Sequence, residues 1–546
     1  MKKLHLLAGL IFALSIPTPG LLAGSEALGL TGIVTSEAEG PMGGVLVSAA
    51  KVPGTITVTV VSDNHGRYVF PANRLEPGKY QISIRAIGYD AADPNLVATI
   101  GKGTTETDIK LNRTSDLAAQ LSDAEWLMSA PGTYEQKQHL FMTCSHCHTL
   151  APVFASKYDA AGWMTTFARM RGWDQVSSIN KPVKSPDKGG APFGNEEFAR
   201  YLASINLSAH PTHDFELKTL PRPHGEDTKV IITEYDLPRD DAEPHDVAPD
   251  KTGTIWYQDF GEGIIGRLNV ATGEVKEWTD SLNKPGFPSA FQCVEWDADG
   301  NIWTGRHDWN GFAKFDTKTE KFTNFDLPAG VKADFITVGG DGKVWTKDTA
   351  GREVYRLDPA TGEITKFDEF PPELMAKDYS GPKHHIYGIT ADSKGNLYEA
   401  DIEGGDLFRR DVTTGNVKMY AIPTPDAGPR RMHFDAQGNL WIGEYYGKTM
   451  AMFDPKTEKF REWPSPIPWY GPYDVAVDKN GYAWTGTMTS EVILRLNPKS
   501  AQFNQYLLPR LGVNVRRVEV DDSGPRPVFW VGENHQAKIA KVEPLN

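Results

Sequence analysis

From about residue 230 to the end, the chain repeats itself. The copies are Asp250-Lys-Thr-Gly-Thr-Ile-Trp256, Asp297-Ala-Asp-Gly-Asn-Ile-Trp303, Gly340-Asp-Gly-Lys-Val-Trp345, Asp392-Ser-Lys-Gly-Asn-Leu-Tyr398, Asp435-Ala-Gln-Gly-Asn-Leu-Trp441 and Asp478-Lys-Asn-Gly-Tyr-Ala-Trp484. A seventh, Asp521-Asp-Ser-Gly-Pro-Arg-Pro-Val-Phe-Trp530, carries an insertion. Their glycines fall at 253, 300, 342, 395, 438, 481 and 524, so the spacings are 47, 42, 53, 43, 43 and 43. A second hairpin closes the units, as in Tyr355-Arg-Leu-Asp-Pro-Ala-Thr-Gly-Glu-Ile364, where glycine supplies the positive φ of the turn. A period of roughly 40–50 residues with four short strands per copy is the signature of a β-propeller. The last copy stops at Lys541-Val-Glu-Pro-Leu-Asn546 and lacks its outer strand, and Val230-Ile-Ile-Thr-Glu-Tyr235 reads as that strand. Pairing the two closes a seven-bladed ring without an open edge. The Trp and Tyr of each copy are expected to pack between blades.

Upstream, residues 143–148 read Thr-Cys-Ser-His-Cys-His. Cys-x-x-Cys-His is the run that attaches haem c covalently. Cys144 and Cys147 have the spacing for two thioethers to one porphyrin, and His148 then reaches the iron from the proximal face. A zinc site needs four ligands, and no second Cys pair exists among three cysteines. The remaining thiol, Cys293, reads as a small buried apolar group, with a reactive thiol as the alternative. One covalent haem c is the expected cofactor.

Export agrees with that cofactor. Met1-Lys2-Lys3 is a basic start, residues 6–16 are apolar, and small residues follow before position 27. This is a signal peptide, too short to span a bilayer, and no later stretch is apolar enough to do so. The mature protein is expected in the periplasm or outside the cell. The net charge of −14 argues against nucleic acid, which calls for a basic patch. It is compatible with steering toward a basic redox partner, or with plain solubility.

Residues 28–112 read as an all-β unit, with strand-like runs near 32–35, 45–49, 55–61, 67–70 and 80–85 and turns at Asn64-His-Gly66 and Glu76-Pro-Gly78. The order Gly-x-Val, Gly-Gly-Val-x-Val, Asp-x-x-Gly-Arg-Tyr-x-Phe, Leu-x-Pro-Gly-x-Tyr-x-Ile resembles the carboxypeptidase regulatory-like domain, a transthyretin-like β-sandwich. That resemblance implies a binding or spacer module and no chemistry. Residues 115–207 turn helical: 116–129, 134–142, a stretch opened by Cys144–His148, 160–171 and 195–205 are helix-compatible. A helix at the haem motif, a middle helix and a closing Glu196-Glu-Phe-Ala-Arg-Tyr-Leu-Ala-Ser-Ile205 helix resemble a class I cytochrome c domain. Met170 shares one helix face with Trp163 and Phe167 and is the candidate sixth iron ligand, which would suit electron transfer; its alternative is ordinary core. Met164 is the next candidate, and His146 reads as solvent-facing. The Pro/His-rich stretch 208–229 reads as a linker.

The propeller pattern, Asp-x-x-Gly-x-Ile-Trp followed by Gly-Arg-Leu-Asp-x-x-Thr-Gly-Glu-Ile, resembles the streptogramin (virginiamycin B) lyase family over 230–546. That resemblance implies inner strands starting Pro-His-x-Ile and Glu-Pro-His-x-Ile, with a general-base histidine and a magnesium site. Where these would align, this chain has Pro429-Arg430-Arg431-Met432 and Pro472-Tyr473-Asp474-Val475, while Glu243-Pro-His245-Asp-Val lies in the first blade. The expected inner-strand starts instead offer His245, His384, His385, Arg430, Arg431, Tyr473, Arg516 and Arg517. Converging at one channel mouth, they would form a ligand site, and the arginine forks suit an anionic or carboxylate-bearing molecule; solvated rim residues are the alternative.

The fold expected is therefore multidomain: a transthyretin-like sandwich, a small all-α haem unit and a seven-bladed propeller. The function expected is periplasmic mono-haem electron transfer, an oxidoreductase or relay serving a small-molecule substrate or a redox partner protein. A carbon–oxygen lyase and a haem-containing binding or sensor module are the alternatives.

Overall fold

The computed structural model describes residues 28–145, 148–173, 178, 181–184, 194–283, 290–306, 311–348, 353–367 and 384–546. The expected signal peptide, His146 and Cys147 lie outside them. The chain is mostly β, with five short α-helices among the described residues.

The N-terminal unit is a two-sheet sandwich. In one sheet Leu28–Ser36 pairs with Arg67–Pro71 and, in parallel, with Ile109–Arg113. In the other, Leu46–Lys51 lies between Ile56–Val61 and Gly78–Arg85, and Val97–Ile100 follows. Alternating residues such as Leu30, Val34, Val47, Tyr68, Phe70 and Ile82 fill the space between the sheets. The second sheet does not end at its edge. Ile56–Val61 pairs antiparallel with Val230–Asp236, which pairs on its other side with Lys538–Pro544. Sandwich and propeller thus share one eight-stranded sheet.

Val230–Asp236 is the expected closing strand. It completes the seventh blade beside Val518–Asp521, Val528–Glu533 and Lys538–Pro544. The other six blades each have four sequential antiparallel strands. Their inner strands are Pro244–Pro249, Phe291–Trp296, Ala333–Val338, Ile386–Ala391, Pro429–Phe434 and Pro472–Val477. Each inner strand packs beside the next, and Val518–Asp521 returns to Pro244–Pro249, so the ring is closed.

The repeat has a physical reason beyond core packing. Five of its glycines (253, 300, 342, 438 and 481) have φ between 75° and 82°, yet an added Cβ would meet nothing within 4 Å. Glycine is there for its conformation, not for space. The aspartate three residues earlier ties the turn to the core: Asp478 accepts the Trp484 indole N–H at 2.9 Å and the Tyr482 N–H at 3.0 Å. Asp250, Asp297 and Asp435 hold Trp256, Trp303 and Trp441 in the same way at 3.0 Å. The third blade has Gly339 there, and the Trp345 indole N–H finds no protein acceptor. Asp478→Ala is expected to cost about 1–3 kcal/mol by leaving the buried Trp484 N–H unsatisfied. Chemical denaturation measures this, and a cost near zero would remove the assigned role.

The helical unit contains α1 (Asp123–Ser129), α2 (Tyr134–Cys144), α3 (Ala151–Ala155), α4 (Ala160–Met170) and α5 (Glu196–Ile205). α1 is shorter than expected because Ser122 forms a capping box with Glu125, preceded by a 3-10 turn at Ala118–Gln120. Cys144 closes α2 rather than opening a helix. α5 packs beside α4, and His139 of α2 stacks on Phe198 of α5 at 4.1 Å. These helices form an all-α unit; they do not by themselves show a cytochrome c fold. The stretch 208–229 is not a free linker. Phe215 and Leu217 pack on the helical core, and the Lys218 and Leu220 N–H groups donate to Ser129 Oγ and Glu125 Oε1, both at 2.7 Å.

Candidate functional site

Six inner strands begin with an irregular register against their second strand. The breaks fall between Pro244 and Asp246, Gln292 and Glu295, Ala333 and Ile336, Ile386 and Ile389, Pro429 and Met432, and Pro472 and Asp474. A bulge frees the residues inside it from the ladder and re-aims their side chains. His245, Cys293, Arg430, Arg431 and Tyr473 are such residues. Their placement at the channel follows from the bulges as well as from the strand starts.

Asp246, which sequence reasoning passed over, is the hub. It is fully buried. Its Oδ1 lies 2.5 Å from His245 Nδ1, and its Oδ2 accepts from Arg431 Nη1 and Arg517 Nη1, each at 3.1 Å. Burial pushes the carboxyl up, but Arg431, His245 and Arg517 outweigh it and hold it well below the usual range. His245 is held down to about 3, chiefly by burial, with Arg516 and Arg431 adding to it against the pull of Asp246. It is therefore neutral: Nδ1–H donates to Asp246 and Nε2 accepts the Tyr473 hydroxyl at 3.3 Å. The Tyr387 hydroxyl then donates to Tyr473 at 2.7 Å. A ring held this low is a poor proton acceptor, so the chain of bonds orients groups rather than storing a proton.

The arginines expected at the mouth are engaged as follows. Arg431 and Arg517 are internal, neutralised by Asp246, and Arg517 also donates to Glu295 at 2.7 Å and Glu519 at 2.6 Å. Arg516 lies over Phe260 at 4.8 Å and donates to Asn514 at 2.9 Å. Arg430 sits among three phenol rings, Tyr473, Tyr445 and Tyr387, at 4.3, 4.4 and 4.6 Å, an arrangement of cation–π contacts. The His384 ring and the His385 backbone N–H share a different carboxylate, Asp401. Burial first, then Lys347, holds the His385 ring down to about 4.

The mouth is covered. Phe141 of α2 stacks on Tyr445 at 4.9 Å, and Tyr134 stacks on Trp469 at 5.4 Å. Lys448 Nζ donates to Gln138 Oε1 at 2.8 Å. The approach requires Gly471, where an added Cβ would come within 2.9 Å of Phe141 Cζ. On the first blade, Lys181 pairs with Glu262 at 3.1 Å and Val183 packs with Phe260 and Ala290. On the seventh, His148 and His535 line one cavity of about 200 Å³. The helical unit thus lies across the mouth as a lid.

Glu243, under that lid, is 2 % exposed. Burial first, then the charge of Asp259, pushes its carboxyl up to about 8, against Ser178, Lys181 and Arg516. A carboxyl raised on folding stabilises the fold fully below its unfolded value near 4.5 and loses that contribution as pH rises through 8. Wild type is expected to lose about 1–3 kcal/mol relative to Glu243→Gln between acid and alkaline pH. Parallel denaturation curves would refute this.

The residues expected to hold haem are placed as follows. Cys144 is buried among Leu140, Phe141, Trp163 and Phe198. His148 is half-buried, and its Nδ1 lies 2.7 Å from the Thr149 carbonyl. That bond puts the ring proton on Nδ1 and leaves the Nε2 lone pair for a metal, the arrangement metal-binding histidines commonly use. The donor chemistry fits a covalent haem. Met170 ends α4 half-buried; Trp163, Phe167 and Met164 join the apolar cluster and Met170 does not. No repeat or motif marks Asp246, Tyr445 or His535, whereas Glu243 opens the Glu-Pro-His run already singled out, which Asp246 follows.

Comparison with known proteins covers two parts of the chain. Residues 29–112 match the carboxypeptidase regulatory-like domain. A streptogramin B lyase structure is 22% identical with a TM-score of 0.51, covering 58% of this chain and 99% of its own. The selenomethionine-substituted virginiamycin B lyase from Staphylococcus aureus is 18% identical with a TM-score of 0.50, covering 57% and 99%. No curated protein matches the chain. The chain therefore joins a carboxypeptidase regulatory-like domain to a propeller with the fold of the streptogramin B lyases.

Proposed function

We propose that this is an exported, mono-haem c electron-transfer protein, an oxidoreductase or relay, in which the helical unit carries the haem against the propeller mouth. The observation that carries the reading is His148, in the Cys-x-x-Cys-His run, with Nδ1 tied to the Thr149 carbonyl and α2 docked on the channel through Phe141 and Tyr445. Cys144 and Cys147 are the two attachment thiols, His148 the proximal ligand and Met170 the sixth. Bound haem c supplies a one-electron iron couple. The chain's own residues provide a buried mouth: Arg430 lies within its tyrosines, and Tyr473 is oriented by neutral His245, which Asp246 fixes. A periplasmic or secreted location, and a redox partner protein or small molecule as the second participant, belong to the same proposal. Among the described residues, no helix is long and apolar enough to cross a membrane.

Oxidised and reduced absorption spectra of the exported protein test it. A low-spin c-type spectrum is expected, with a weak far-red methionine–iron band that disappears in Met170→Ala. A high-spin spectrum unchanged by Met170→Ala would overturn the sixth ligand and favour a sensor-type haem.

A lyase is the second reading, favoured by the propeller fold and by Glu243-Pro-His245 at the mouth. Against it, His245 is engaged by Asp246 and Tyr473, and Lys181 and Val183 cover the first blade. Turnover of a lactone substrate, abolished by His245→Ala, would restore it.

A further inference from the structure

A cavity of about 570 Å³ opens away from the channel, where sandwich, connector and propeller meet. That is within the usual range for small-molecule sites, which favour domain junctions. Its lining is mixed; the aliphatic part comes from Ile84 and Ile87 of the sandwich, Leu220 of the connector, and Val492, Leu507 and Leu511 of the propeller.

The charged groups around it are already engaged. Arg85 donates to the Leu508 and Arg510 carbonyls at 2.7 and 2.8 Å and to Glu491 at 2.9 Å. Glu491 also accepts the Gly512 N–H at 3.0 Å. Glu125 accepts from Leu220 and Ser122, Arg222 pairs with Glu39, and Asp227 accepts from Asn504 and Gln505. A charged ligand would have to displace these bonds, whereas a neutral apolar one would not.

We propose that this junction cavity binds a neutral, mainly apolar molecule of one or two rings, the size and polarity of a quinone head group. Ser122, Glu491 and Leu511 are common to its wall and to that of the His148 cavity. The occupant would therefore sit one wall away from the proposed iron ligand. Binding itself does not depend on the haem reading.

The test is equilibrium binding of 2-methyl-1,4-naphthoquinone to the full-length protein, with naphthalene-2-sulfonate as the charged counterpart. Saturable one-to-one binding of the quinone is expected, with the sulfonate at least about tenfold weaker. Ile84→Trp and Leu507→Trp fill the cavity from opposite walls, and each is expected to weaken the quinone about tenfold or more while the thermal transition is retained. Absent saturable binding, or affinity unchanged in both tryptophan variants, overturns the site. Equal affinity for the sulfonate overturns the ligand class. Quinone binding by a protein that carries no haem leaves this site standing and removes the haem reading instead.

Discussion

Asp246→Ala is expected to destabilise the propeller by about 3–5 kcal/mol, because removing one partner of a buried ion pair strands the other. That is a large part of the 5–15 kcal/mol by which folded domains are typically stable, about the whole margin at the low end. Arg517 keeps Glu295 and Glu519. The cost falls mainly on Arg431, left with a 3.6 Å contact to the Cys293 sulfur and the Phe335 ring, and on His245, which loses its Nδ1 acceptor. Asp246→Asn retains one acceptor oxygen and is expected to cost less. The sign with pH is fixed: a carboxylate held below its ordinary value stabilises the fold above the unfolded pKa, and that contribution is lost as pH falls through the depressed folded value. The acid limb of the stability curve is therefore expected to flatten in Asp246→Asn. Urea denaturation of the three proteins measures both effects, and a loss below about 1 kcal/mol in Asp246→Ala would remove Asp246 from the centre of the site.

Thr233→Pro is expected to do comparable damage from outside the channel. Thr233 is opposite Lys541 on one side and Val58 on the other. Its strand is central, so its N–H lies in a ladder. Proline removes that donor and does not belong in a central strand, at a cost of about 3 kcal/mol or more. The strand closes the ring and carries the sandwich, so both attachments weaken together. Exposed edges would follow, and with them association between molecules. The expected readout is a lowered thermal transition with sandwich and propeller separating under limited proteolysis. An unchanged transition and an intact digestion pattern would contradict the role of the shared strand.

What could be read from the chain divides along a physical line. Local periodicity reports which face a residue takes. The glycine spacing, the missing outer strand and Val230–Asp236 as its replacement were legible for that reason. So was the arrival of His245, Arg430, Arg431 and Tyr473 at one end of the inner strands. Partnership between residues distant in sequence is a different quantity. Arg431 and Arg517 meet Asp246 across 185 and 271 residues, and nothing periodic announces an aspartate that neutralises two arginines. Two of the arginines expected at the mouth are thus bonded to one buried carboxylate that periodicity does not report. The lid was hidden for the same reason: Phe141 reads as one more apolar residue of α2, and only Tyr445 above Gly471 gives it a destination. Helix ends misled in a smaller way, since Cys144 closes α2 and the Ser122–Glu125 capping box shortens α1.

The most direct measurement is the intact mass of the exported, denatured protein together with its pyridine haemochrome spectrum. The expected result is one haem per chain that survives unfolding, lost when Cys144 and Cys147 are serine. An exported wild-type chain with the mass of the bare polypeptide and no haem absorption would contradict the electron-transfer reading.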